Sequence, residues 1–260
     1  MSNQRFAGRV ALITGAGSGI GEAAAMRLAS EGARIIAVDR NESKLTKLLS
    51  SLGGGGHIQL TRDLRVEENA KSLVADCMKQ TQRIDIVVNA AGVCHFRPMK
   101  DIDVEEWDEV LEINLRALFQ VATAAAEAMD PARGGRIVNL GSNAGRKGRA
   151  LSAHYAASKA AVANLTESLA LSYGKKNITA NTVCPAVTDT PMWEGLFSEL
   201  HAATGKSRQD LTDGWTKLTP LGRLGTPTDV ANLIAFLVSN EASFITGQTI
   251  NVCGGFMLTC

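Results

Sequence analysis

Short apolar runs alternate with longer stretches of helical period along most of this chain. Val10–Thr14 (VALIT) is apolar nearly throughout and ends in glycine, as a strand buried on both faces does. Similar runs at 34–38, 57–61, 84–88, 136–140, 178–184 and 248–253 predict six more strands. Between them the pattern predicts helices at 22–30, 43–51 and 67–80, the last with Leu73, Val74, Cys77 and Met78 on one stripe. Further helices are predicted at 105–129, from about Tyr155 to 173, and at 227–239 with Pro227 in its first turn. Strand and helix in strict alternation with short connections call for a parallel sheet covered on both faces, an α/β fold. From 192 to about 218 no strand or long helix is evident. Met192, Trp193, Leu196, Phe197 and Leu200 recur there at helical spacing and predict a short amphipathic segment, part of an apolar flap at about 188–218. Inserted after the carboxyl end of a strand, that flap is placed to cover a substrate.

Composition narrows this picture. At 260 residues and 45% hydrophobic, the chain is sized for one core, so 1–260 is expected to be a single domain. A net charge of +1, with both signs interspersed, gives no sign of a nucleic-acid groove or a membrane surface. The five cysteines (77, 94, 184, 253 and 260) are odd in number and form no CxxC pair, as expected of buried thiols in a reducing compartment. The start of the chain lacks the apolar region of a secretory signal, and no clean twenty-residue apolar span occurs, so a cytoplasmic location is expected. His57, His95, His154 and His201 are scattered without metal-ligand spacing. Gly205-Lys206-Ser207 has the ending of a phosphate-binding loop, but Leu200 stands where its first glycine is needed.

The chemistry concentrates at strand ends. Gly15-Ala16-Gly17-Ser18-Gly19-Ile20-Gly21 joins the first strand to the first helix, where glycines admit a ligand and free N–H groups face an anion. The GxGxxG template fits in neither register, whereas TGxxxGxG fits through Thr14, Gly15, Gly19 and Gly21. Asp39, ending the second strand, is placed to accept hydrogen bonds from ribose hydroxyls and to repel the 2′-phosphate of NADP. Ser18, where a basic residue would grip that phosphate, also favours NAD; Arg40 is the opposing charge. Ser142 follows the strand at 136–140. Tyr155 and Lys159, four residues apart, share a helix face. An ammonium beside the phenol is expected to lower its pKa from about 10, making Tyr155 the acid/base and Ser142 a hydrogen-bond partner of the reacting oxygen. Asn114, in a predicted helix where asparagine is disfavoured, calls for a hydrogen-bonding task or exposure to water. The helix through Tyr155 is small or apolar nearly all round, which predicts cover by a second subunit and a homo-oligomer.

TGAGSGIG at 14–21, Asp39, NAAG at 89–92, Asn114, Ser142, YxxxK at 155–159 and the stretch from Pro185 to Thr190 resemble, in order and spacing, the short-chain dehydrogenase/reductase family. The resemblance runs from Gly8 to about Gly255. It implies a single-domain Rossmann fold with seven parallel strands, helices on both faces, and a homotetramer. It implies hydride transfer between a nicotinamide and a carbinol or carbonyl carbon, with Asn114, Ser142, Tyr155 and Lys159 catalytic and Asn114 holding a relay water. Cofactor contacts are implied from Gly15, Ser18, Gly19, Ile20, Gly21, Asp39, Arg40, Asp63, Leu64, Asn89, Ala90, Gly92, Tyr155, Lys159, Pro185, Thr188 and Thr190. Ser142, Tyr155, Ala186 and Trp193 are the implied substrate contacts. Three departures stand out: Ala186 where glycine is common, NAAG for NNAG, and Thr188 for Val or Ile.

Thr190-Pro191-Met192-Trp193 resembles sugar-alcohol and small-diol members, so the leading expectation is an NAD-dependent dehydrogenase of a polyol, sugar or small secondary alcohol. The alternative is a 3-oxoacyl or other carbonyl reductase, a group that more often takes NADPH. A non-catalytic nucleotide-binding sensor or scaffold is the reading from another class.

Overall fold

The computed structural model describes residues 4–258; Cys260, counted above, lies outside them. Seven parallel strands form one sheet in the order β3-β2-β1-β4-β5-β6-β7. They are β1 (Val10–Thr14), β2 (Arg34–Asp39), β3 (Ile58–Thr61), β4 (Ile86–Asn89), β5 (Gly135–Leu140), β6 (Ile178–Pro185) and β7 (Thr249–Val252). Each sheet face carries its own core. Ala11 and Ile13 of β1 pack with α1 (Gly19–Ser30), α2 (Glu42–Ser51) and α9 (Pro227–Leu237). Val10 and Leu12 pack on the other side with α3 (Glu67–Thr81), α5 (Leu118–Ala128) and α6 (Ala153–Tyr173). Burial on both faces is why these strands read as unbroken apolar runs. The strand order reverses between β1 and β4, which opens a crevice at their carboxyl ends.

Two elements differ from the sequence pattern. The stretch predicted as one helix over 105–129 is α4 (Val104–Leu111), a wider π turn (Glu112–Ala117) and then α5. Alanine and leucine report helix but not its winding, and the π turn carries Asn114 fully buried. The flap contains two helices, α7 (Met192–Thr204) and α8 (Arg208–Leu218), in place of one short segment. Periodicity misses α8 because it buries only Leu211. Its capping box, Ser207 with Asp210, was the legible signal. Gly205 ends α7 in the left-handed conformation at φ +70°, so Gly205-Lys206-Ser207 is a helix-to-helix corner.

Among the described residues no helix is long and apolar enough to cross a membrane, and no group of three His, Cys, Asp or Glu is placed to hold a metal ion. Cys77, Cys94, Cys184 and Cys253 are free thiols.

Candidate active site

A cleft of about 800 Å³ runs along the carboxyl ends of the central strands. Its floor is set by close backbone approaches. Gly15 adopts φ +66°, and a Cβ there would lie 2.7 Å from the Ala91 nitrogen. At Gly21 a Cβ would meet the Gly15 carbonyl oxygen at 2.2 Å. The turn after β1 therefore folds tightly on itself and on the segment after β4. Ser18, Gly19, Ile20 and Gly21 line the cleft, and Ser18, a good capping residue, makes no side-chain bond to the helix it precedes. The first-turn N–H groups of α1 consequently have no side-chain partner, the donor set an anionic pyrophosphate requires. Asp39 lies on the same side. Its Oδ2 accepts the Gly17 N–H and its Oδ1 the Asn41 N–H, each at 3.0 Å. These residues fit a dinucleotide: anion-binding amides at one point and a fixed carboxylate for ribose hydroxyls beyond. Arg40, Asp63, Leu64, Ala90, Gly92, Pro185, Thr188 and Thr190 line the cleft as well. Thr188 is 4% exposed and spends its hydroxyl on the Ala186 carbonyl at 3.1 Å.

Ser142, Tyr155 and Lys159 converge on the same wall. Ser142 sits just past β5, its Oγ accepting the Ala144 N–H at 3.1 Å. Lys159 donates to the Leu140 carbonyl at 2.7 Å, with Nζ 5.8 Å from the centre of the Tyr155 ring. Burial pushes the Lys159 ammonium down to about 8 from 10.5. It pushes the Tyr155 phenol upward, with the Cys94 sulfur acting the same way and a hydrogen bond with Ser142 opposing. This corrects the expectation that the lysine lowers the phenol's pKa. Desolvation is the largest cause, and the ammonium, turned to the Leu140 carbonyl, is not among the groups that move the phenol.

Two residues implied by the family resemblance lie behind the wall. Asn89 is 2% exposed and donates to Asn139 at 2.9 Å, joining β4 to β5. Asn114 clasps Val93: its Oδ1 accepts the Val93 N–H at 2.8 Å and its Nδ2 donates to the Val93 carbonyl at 2.9 Å. That Nδ2 also reaches Ser158 Oγ at 3.1 Å, and a Cβ on Gly92 would come within 3.0 Å of Asn114 Oδ1. These bonds tie the loop after β4 to Ser158 of α6.

The far end of the cleft is apolar. Trp193 and Ala186 line the cleft together with Phe96, Leu151, Leu196 and Trp215. Trp193 packs against Trp215 at 4.8 Å and against Phe96 at 6.0 Å between ring centres. Cys94, Phe96 and Trp215 were missed from sequence: the first two sit in a loop without periodicity, and the third sits on α8.

The family profile described as Enoyl-(Acyl carrier protein) reductase matches residues 15–257. The chain is 36% identical to a 3-oxoacyl-(acyl-carrier-protein) reductase of Vibrio cholerae, over 96% of this chain and 98% of that one. It is 34% identical to the human (3R)-3-hydroxyacyl-CoA dehydrogenase, over 98% and 97%. A solved structure from Brucella melitensis, described as a short-chain dehydrogenase/reductase (glucose/ribitol dehydrogenase), superposes with TM-score 0.88 at 33% identity, covering 98% of this chain and 99% of that one.

The depressed Lys159 pKa has a consequence for stability. Between about 8 and 10.5 the unfolded chain binds more protons than the folded one, so stability rises with pH across that window. Below it the full cost applies, roughly 3 kcal/mol. Lys159→Met removes that cost along with the bond to Leu140. Relative to wild type the variant is expected to be at its most stable below pH 8 and to lose that advantage by pH 10.5, as read by denaturant unfolding. A stability difference constant across that range would show an ordinary lysine.

Proposed function

The chain belongs to the short-chain dehydrogenase/reductase family, and on that footing we propose that it interconverts a 3-oxoacyl group and its 3-hydroxy form, working as a reductase near neutral pH. The apolar substrate end carries this reading. A polyol would bring several hydroxyls against Phe96, Leu196, Trp193 and Trp215, where each unpaired group costs about 1–3 kcal/mol. An acyl chain fits that wall. Half-buried Arg149 and exposed Lys206 also line the cleft and offer cations to a phosphate-bearing carrier. The Vibrio and human relatives, named for oxoacyl and hydroxyacyl substrates, support the same choice over the polyol expectation.

When bound, the nicotinamide cofactor supplies the hydride donor or acceptor. Tyr155, kept in its phenol form by burial, gives its proton to the substrate oxygen as the carbonyl is reduced. The Ser142 hydroxyl, hydrogen-bonded to that phenol, steadies the same oxygen. Lys159, in the same wall, would hold a ribose hydroxyl of that cofactor, and Asn114 acts through Val93 as a positioning residue. The two helices of the flap cover the substrate. NAD(H) is the favoured form, because the two backbone N–H groups on Asp39 keep its carboxylate from turning away and giving Arg40 a 2′-phosphate. The outer face of α6 exposes Leu171, and Phe119 of α5 stands 47% exposed beside a groove between these helices, which supports a homotetramer built on this face.

Four outcomes are expected. Purified protein should reduce 3-oxoacyl thioesters much faster than it oxidises sugar alcohols, and Tyr155→Phe should lower turnover about a hundredfold or more. Faster polyol oxidation would remove the substrate reading, and full activity in the variant would remove Tyr155. Asp39→Ala should raise the NADP:NAD ratio of kcat/KM by about ten-fold or more, since one charge near a phosphate is worth at least that; an unchanged ratio counts against NAD selection by Asp39. Light scattering should give a multiple of 27.5 kDa that Phe119→Glu reduces, and a monomeric wild type ends the tetramer proposal.

A further inference from the structure

Helix α7 is lightly anchored for an element that forms a wall of the cleft: it buries only Leu196 and Leu200. A charged knot adds to the attachment that its aromatic rings make. Glu199 reaches from α7 to the loop after β4, where its Oε2 accepts the Phe96 N–H at 2.7 Å. Its Oε1 lies 3.4 Å from the Arg97 guanidinium and 3.5 Å from His95 Nδ1. Arg97 carries the connection onward. Its Nε stands 3.3 Å from Glu106 of α4, and its backbone N–H donates to the Leu151 carbonyl at 2.6 Å, two residues before α6 begins.

The grip on residue 96 is double. Glu199 holds its backbone, while Trp193, on the same helix, stacks on its ring at 6.0 Å. Phe96 and Trp193 both line the apolar end of the cleft. A carboxylate with only 21% of its side chain exposed is costly to place without partners, and these partners all belong to elements that frame the substrate. Among the described residues the turn after β1 and the end of β2 receive no direct contact from this knot, which reaches the dinucleotide side only indirectly, from His95 through Glu109 and Arg65 to Asp63.

We infer that Glu199 is a positioning residue for the substrate half. By fixing Phe96 and Arg97 from α7, it sets where the Phe96 and Trp193 rings stand and thereby governs substrate affinity, without touching reacting atoms or cofactor. This rests on the flap covering the substrate, as proposed above.

Glu199→Ala leaves the Phe96 N–H unpaired, so KM for the oxidised substrate should rise about ten-fold, with kcat changed less than about three-fold and NADH affinity unchanged. Glu199→Gln, which keeps a carbonyl acceptor for that N–H, should stay within about three-fold of wild type in KM. A second readout needs no substrate. The chain has three tryptophans, and Trp107→Phe leaves Trp193 and Trp215, both in the flap. In that background Glu199→Ala should increase acrylamide quenching and Glu199→Gln should not. More quenching with no turnover of any 3-oxoacyl compound would uphold the latch while ending the substrate reading. Wild-type KM and quenching in Glu199→Ala would overturn the inference, as would a loss of NADH affinity equal to the loss for substrate.

Discussion

Close approach of backbone at the carboxyl ends of β1 and β4 is the constraint from which the site follows. Gly15, with φ +66°, lies where any side chain would strike the nitrogen of Ala91. Gly21 folds back on the Gly15 carbonyl just as tightly. These contacts bring the amide-rich start of α1 beside the loop that leaves β4. Asn114 then fixes that loop from behind by binding both backbone groups of Val93. The asparagine that does so is carried by the π turn after α4, fully buried.

Burial decides the protonation states on the opposite wall. Tyr155 and Lys159 are adjacent on one helix face, and a Coulombic argument alone predicts a phenolate next to an ammonium. In the folded chain both charged forms are disfavoured together, because both groups have left water. The result is a phenol that holds its proton beside a lysine that gives up its own more readily than it would in water. Ser142 partly offsets the cost by hydrogen bonding, and the Leu140 carbonyl gives the ammonium a single fixed partner.

The two halves of the cleft are built differently. The dinucleotide half is made of strand ends, glycines and one helix terminus, all backed by the sheet. The half proposed to take substrate is made of α7, α8 and the loop after β4, joined by aromatic contacts and by the ions around Arg97. A wall assembled from such side chains can be recut for a new substrate without disturbing the sheet, which is how one fold hosts many reactions.

By itself the sequence determined the seven strands, their parallel alternation with helices, the glycine turn, Asp39 and the Ser142, Tyr155 and Lys159 group. Each is a local signal: an apolar run, a glycine spacing, or two residues one helical turn apart. Tertiary structure alone decided that Asn89 and Asn114 lie behind the cleft, that α8 exists with Trp215 in the wall, and that Glu199 meets Phe96 across 103 residues. It alone decided that burial, not Lys159, sets the direction in which the Tyr155 phenol moves. The physical reason is the same in each case. Hydrogen-bond partners distant in the chain and the loss of water around a charge depend on what packs alongside, and no spacing along a chain encodes that.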